Sequence, residues 1–274
     1  RDDSRSSLGD WYPYRKKLPE GVAGIARRIE EMGLAFGLWI EPEMVNKDSD
    51  LYRAHPDWML SAPGRSACHG RNQFVLDFSR EEVVEYIYQM LRHVLDEAPV
   101  SYIKWDMNRC MSEVYSRAGR PEEQGMVFHR YILGVYSLYE KLIRRYPHIL
   151  LESCASGGAR FDPGMMYYAP QCWTSDDTDA VERLKIQYGT SMVYPLSSMG
   201  AHVSAVPNHQ TGRITDFTVR GDVAACCCFG YELDPRALIP EEREAVCAQV
   251  ERSRRIEPLV LEGDFYRLRS PFAG

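Results

Sequence analysis

The feature that narrows this chain most is an alternation. Short apolar runs, rich in branched and aromatic residues, keep returning between segments of helical period. Seven runs read as strands: residues 34–43, 74–79, 100–106, 148–153, 170–175, 192–199 and 224–230. Helices are predicted over 19–32, 80–96, 122–146 and about 179–190, 213–222 and 240–252. In the first of them Pro19 suits the opening turn, Val22, Ile25, Ala26 and Ile29 share a face, and Gly33 closes it. Ser79 followed by Glu82 has the spacing of a capping box for the second. Strands that are apolar on both faces, with helices between them, require a parallel sheet covered on both sides.

That pattern predicts an α/β fold, and the count approaches a (β/α)8 TIM-type barrel. Closure needs eight strands, and the first recognisable element here is a helix. The barrel is therefore expected to lack its first strand, which would lie upstream of Arg1, with residues 1–14 as the loop that follows it. Residues 1–255 are expected to form this truncated barrel and 256–274 an exit segment.

Composition excludes several functions. At 274 residues and 45% hydrophobic, the chain is long enough for one large domain. A net charge of −6 with no basic stripe argues against a nucleic-acid partner. No apolar run approaches the roughly 18 residues of a membrane span, so no membrane partner is expected. The cysteines at 68, 110, 154, 172, 226, 227, 228 and 247 lack CxxC spacing, and the three in a row would point to opposite faces of a strand. They read as buried, reduced thiols in a cytoplasmic protein, with no metal.

Residues with chemistry fall where the strands end. Trp39 and Glu41 close one run, Asp77 the next, Lys104 and Asp106 the third, Glu152 and Cys154 the fourth, and Trp173, Asp176 and Asp177 the fifth. A barrel collects the carboxyl ends of its strands on one rim, which is where its active site sits. Nucleophile-elbow, phosphate-loop and dinucleotide motifs are missing, and the histidines lack HxxxH spacing. Aspartates on different strands, flanked by tryptophans, suit glycoside hydrolysis: one carboxyl attacks or stabilises the sugar's cationic centre and the other protonates the leaving oxygen. Tryptophan rings stack on apolar sugar faces while charged groups bind hydroxyls. These residues alone do not choose among Asp176, Asp177 and Asp179 for the second role.

The stretches GLWIEPEMV, HPDWML, GRNQFVLDFS, YIKWDMNR, ESCASGGARFDPG, QCWTSDDTDAVERLKIQYGTS and AHVSAVPNHQTGR resemble the bacterial α-galactosidases of glycoside hydrolase family 36, over about residues 1–272. The resemblance implies a retaining, cofactor- and metal-independent enzyme acting on α-galactoside oligosaccharides of the melibiose and raffinose type. It implies Asp106 as nucleophile and Asp176 as acid/base. Trp39, Arg71, Lys104, Asn108, Cys154, Gly157 and Trp173 would then line the sugar site, with Asp77 and Glu152 supporting them. Enzymes of this family carry β domains on both sides of the barrel, and a homo-oligomer is expected for the full-length protein. Related alternatives are an α-N-acetylgalactosaminidase, a galactosyl transferase, or a sugar-binding remnant without turnover.

Overall fold

In the computed structural model, which describes residues 4–272, the chain divides into two compact units. One comprises the chain up to Ser156 together with Asp162–Pro170; the other comprises Gly157–Phe161 and the residues from Gln171 onward. Both are α/β, as the sequence predicts. Among the described residues no helix is long and apolar enough to cross a membrane.

The first unit contains α1 (Gly21–Glu30), β1 (Phe36–Ile40), β2 (Met44–Val45), α2 (Asp50–Ala54), β3 (Phe74–Val75), α3 (Glu81–Glu97), β4 (Val100–Trp105), α4 (Val127–Arg145), β5 (Leu150–Ser153) and α5 (Pro163–Tyr168). Strands β1, β4 and β5 are parallel neighbours, with Trp39 opposite Lys104 and Lys104 opposite Glu152. Because side chains alternate along a strand, Tyr102, Lys104 and Asp106 share one face of the β4 run and Ile103 and Trp105 the other. Ile103 and Trp105 are fully buried, and the Trp105 ring lies 4.4 Å from that of Tyr139 on α4. Val83, Ile87 and Leu91 of α3 and Tyr131, Val135, Leu138 and Leu142 of α4 complete this core at helical spacing.

Several expectations need correction here. The run at 74–79 is not a parallel strand: β3 is two residues long and pairs antiparallel with β2, so Asp77 does not stand at the end of a parallel strand. Strand β4 is apolar on one face only, since Lys104 occupies the other. Ile25 is exposed, while Val22 and Ala26 carry the buried face of α1. The capping box at Ser79 does not form. Its hydroxyl and its N–H both donate to Asp77 Oδ1, at 2.5 and 3.2 Å, so a nearer carboxylate replaces Glu82, which instead faces the Arg80 guanidinium at 2.8 Å.

The second unit holds β6 (Gln171–Trp173), α6 (Ala180–Thr190), β7 (Met199–Ser204), α7 (Phe217–Ala224), β8 (Cys228–Glu232) and α8 (Pro240–Glu262). Strands β6, β7 and β8 are again parallel, around a core of Met199, Ala201, Val203, Phe217, Ala224 and Cys227. The predicted strand at 192–199 is displaced: Met192 and Val193 are 55% and 75% exposed, residues 196–198 form a tight turn, and the strand begins at Met199. Its glycine packs closely, since a Cβ on Gly200 would come within 3.1 Å of the Trp173 ring. The cysteine run is displaced too, because only Cys228 lies in a strand. All eight thiols are free, but Cys68, Cys110, Cys226 and Cys247 are exposed, contrary to the expectation that they are buried.

Gly134, in the middle of α4, gives a direct test of this packing. A helix interior ordinarily gains about 1 kcal/mol from Gly→Ala. Here a Cβ would collide with the backbone carbonyl of Phe78, which cannot rotate away. Gly134→Ala should therefore lower stability by about 1–3 kcal/mol, read from the urea midpoint. A gain would show that α4 can shift off that carbonyl.

Candidate active site

At the carboxyl ends of β1, β4 and β5 the first unit gathers Trp39, Glu41, Lys104, Asp106, Asn108 and Glu152. Asp106 is 7% exposed, and its own N–H continues the ladder by donating to the Ile40 carbonyl at 2.8 Å. Its Oδ2 accepts hydrogen bonds from Trp39 Nε1 at 3.1 Å and Asn108 Nδ2 at 2.6 Å, and its Oδ1 accepts the Met107 N–H at 2.9 Å. Three N–H donors fix both oxygens of a carboxylate that is nearly enclosed. Trp39 is 45% exposed even though its indole N–H is engaged, which leaves ring surface for stacking.

Lys104 extends from the same face of β4 and reaches Glu152 Oε1 at 3.2 Å. Tyr102, on that face too, donates its hydroxyl to Glu152 Oε2. Glu152, left without an individual role in the sequence, thus holds the ammonium of Lys104, two residues before Asp106 in the β4 run. Ser156 Oγ donates to Asn108 Oδ1 at 3.0 Å and fixes the amide that faces Asp106. Cys154 is buried, its N–H donating to the Trp105 carbonyl at 2.8 Å.

Arg71 is exposed, on a loop whose Arg71 and Asn72 adopt left-handed φ values of +52° and +61°. Such conformations cost on the order of 1 kcal/mol and persist only where the surroundings impose them. Arg109 imposes this one, donating to the carbonyls of Cys68, Gly70 and Gln73. The loop carries Arg71 close enough to Glu41 for its positive charge to counter, in part, what burial and the charge of Asp106 do to that carboxyl. Burial foremost, then Asp106, push Glu41 above the usual carboxylate range.

The second unit presents the other three aspartates after β6, each in a different setting. Asp179 is the N-cap of α6, accepting the N–H groups of Val181 at 2.9 Å and Glu182 at 3.2 Å, and it also binds Thr211 and Arg213. Burial would raise its proton affinity, but those donors outweigh it and hold the carboxyl below the usual range. Asp177 Oδ1 accepts the Asp179 N–H at 3.0 Å. Asp176 alone of the three is exposed, steadied by Trp173 Nε1 at 3.2 Å from its Oδ1.

Trp173 itself is buried, clamped between the His202 ring at 4.5 Å and the Arg183 guanidinium at 4.8 Å. Arg183 also donates to the carbonyls of Ser175 at 3.1 Å and Gly200 at 2.5 Å. The sequence offered no signal for this arginine beyond its place on a helix. Gly157, at φ +87°, packs against the same loop: a Cβ there would lie 2.8 Å from Ser175 Cα and 3.1 Å from the Asp176 nitrogen.

The parallel-stranded α/β chain thus carries carboxylates held beside tryptophans after its strands. The melibiase family model matches residues 1–263, and the chain belongs to that family. It is 57% identical over 274 residues to the α-galactosidase AgaA of Geobacillus stearothermophilus, covering 100% of this chain and 38% of that protein. Against the bifunctional α-galactosidase/sucrose kinase AgaSK of Mediterraneibacter gnavus it is 51% identical, over 99% of this chain and 28% of the relative. The crystal structure of AgaA superposes with a TM-score of 0.98, and a variant of AgaA solved in complex with raffinose gives 0.98 at 56% identity, both covering 100% of this chain and 38% of the other. The chain thus spans well under half the length of these relatives.

Gly157→Ala tests the close approach in the second unit. The left-handed backbone alone should cost about 1–2 kcal/mol for a residue with a Cβ. The contact with Ser175 adds to that, and the urea midpoint should fall accordingly. A fall no larger than the backbone cost alone would mean that the loop before Asp176 gives way freely.

Proposed function

We propose that this chain is the catalytic portion of a retaining α-galactosidase that removes terminal α-galactosyl groups from raffinose-type oligosaccharides. The observation that carries the reading is Asp106: a nearly buried carboxylate at a strand end, both oxygens oriented by N–H donors, beside an exposed tryptophan face. In this reading an Asp106 oxygen attacks the anomeric carbon and forms a β-linked galactosyl ester. Asp176 gives its proton to the departing oxygen, then takes one from the water that opens the ester. Its exposure and single side-chain donor suit a group that must exchange protons in both half-reactions. Lys104 and Asn108 would bind galactose hydroxyls, Arg71 would reach in from its loop, and Trp39 would stack on the apolar sugar face. A variant of the α-galactosidase AgaA has been solved in complex with raffinose, which supports the substrate class.

The parallel strands, each group of three interleaved with helices, fit a complete (β/α)8 barrel in the full-length protein. Free thiols, four of them exposed, suit a reducing compartment such as the cytoplasm.

Role assignment is tested in the full-length protein. Asp106→Asn should abolish turnover of an aryl α-galactoside while leaving melting unchanged, because the amide cannot form the ester. Asp176→Ala should cut kcat by about 100- to 10,000-fold, least for aryl groups that leave without a proton. Azide should rescue it and yield α-galactosyl azide, since the small anion enters from the face the acid/base has vacated. An inverted first-formed sugar, read from the anomeric proton by NMR, would overturn both roles.

Lys104→Ala should lower kcat/KM by roughly 2–4 kcal/mol in transition-state terms. It should also reduce stability, because Glu152, 2% exposed, loses its cation. Adding Glu152→Gln should recover the stability and leave the activity low. Recovery of both would mean that the lysine serves the fold and touches no substrate.

A further inference from the structure

We propose that Glu41 is a positioning residue for the nucleophile: it clamps the turn after β4 and so aims the groups that hold Asp106. The inference rests on reading Asp106 as the nucleophile.

Glu41 is 1% exposed. Its Oε1 accepts the backbone N–H of Asn108 at 2.9 Å, and its Oε2 accepts Gln73 Nε2 at 3.0 Å. Asn108 is the residue whose side-chain amide donates to Asp106 Oδ2 at 2.6 Å. The run 39–41 therefore grips the run 106–108 at three places. Trp39 Nε1 holds the carboxylate of Asp106, the Ile40 carbonyl holds its N–H, and Glu41 holds the N–H of Asn108. Freed from Glu41, the Asn108 backbone could rotate, and its amide would leave the Asp106 oxygen.

A plain structural role accounts poorly for the residue type. A main-chain carbonyl or a neutral amide would satisfy one N–H and one amide donor without burying charge. Here a second carboxyl is buried within reach of the charge on Asp106, opposed by Arg71 from its loop, with the uncharged Gln73 and Asn108 completing its surroundings. A fixed negative charge there disfavours the free Asp106 carboxylate relative to its ester, in which the Asp106 oxygen has bonded to the anomeric carbon and given up its charge. Glu41 would then both aim the nucleophile and favour its attack.

The test compares Glu41→Ala and Glu41→Gln in the full-length protein, with a ring-fluorinated α-galactosyl fluoride that accumulates the ester slowly enough to time by mass spectrometry. Glu41→Ala should esterify Asp106 about 100-fold more slowly, the loss expected when a reacting group is displaced by about 1 Å. Glu41→Gln keeps an acceptor for the Asn108 N–H. Once Gln73 turns, the new amide can also donate to Gln73 Oε1, which has no hydrogen-bond partner among the described residues. It should stay within about tenfold of wild type. With one of the two facing carboxylates gone, its kcat/KM should persist to lower pH, moving the acidic limb downward. Labelling of Glu41→Ala at the wild-type rate would overturn the inference. So would parallel losses of activity and melting temperature in both variants with an unmoved acidic limb, which is what a purely structural glutamate would give. Label on a wild-type peptide lacking Asp106 would instead sink the nucleophile assignment beneath it.

Discussion

What the groups gathered in the first unit depend on is a steric fact about one strand. Successive side chains of β4 point to opposite faces, so Tyr102, Lys104 and Asp106 line one and Ile103 and Trp105 the other. A slip of one residue would put the lysine and aspartate into the apolar core and the tryptophan outside. Trp105 prevents it twice: its ring packs on Tyr139, and its Nε1 donates to buried Glu43 at 2.8 Å. The parallel register then places Trp39 and Glu152 on either side of Lys104, one from each neighbouring strand. Strand β4 is thus built of two interleaved sequences, one for packing and one that carries the polar groups.

Burying acids is costly, and this unit buries Glu41, Glu43, Asp106 and Glu152. Much of the compensation comes from neutral donors held rigidly. Trp39, Asn108 and a backbone N–H serve Asp106; Trp105 and Tyr131 serve Glu43; Gln73 and another backbone N–H serve Glu41. Lys104 brings positive charge to Glu152. Fixed dipoles of this kind need no reorganisation when charge moves, which is the property a site must have if a carboxylate is to attack a developing cation.

How much of this was legible depends on the length of the signal. Helices α3 and α4 and strand β4 were plain in the sequence, because their apolar periods run long enough to outvote local noise. Strand β7 was displaced because MVYPLSSM looks more strand-like than MGAHVS; Gly200 and His202 are poor strand formers that tertiary packing on Trp173 makes suitable. The pairing of β2 with β3 involves two residues on each side, too few to leave a period. Asp179 could have been removed from the list of acid/base candidates without a structure, since Asp179 followed by Glu182 at the start of a helical run is an N-cap signature. The roles of Arg183, Gln73 and Glu41 could not, because no local pattern names their partners: Arg183 donates to the Ser175 and Gly200 carbonyls, Gln73 to the Glu41 carboxylate, and Glu41 accepts the Asn108 N–H.

The two aspartates proposed for catalysis are the same residue in opposite settings. Asp106 is nearly enclosed and held by three N–H groups, so its oxygens have one orientation and little contact with water. Asp176 is exposed and held through one oxygen by an indole N–H, with Gly157 letting the backbone pass close behind it. A nucleophile gains from being immobile, because its reaction is a displacement along one line. An acid/base gains from access to water, because it must be reprotonated each cycle. In the proposed mechanism, what the neighbouring strand and loop residues do to their freedom is what sets identical carboxyls to different tasks.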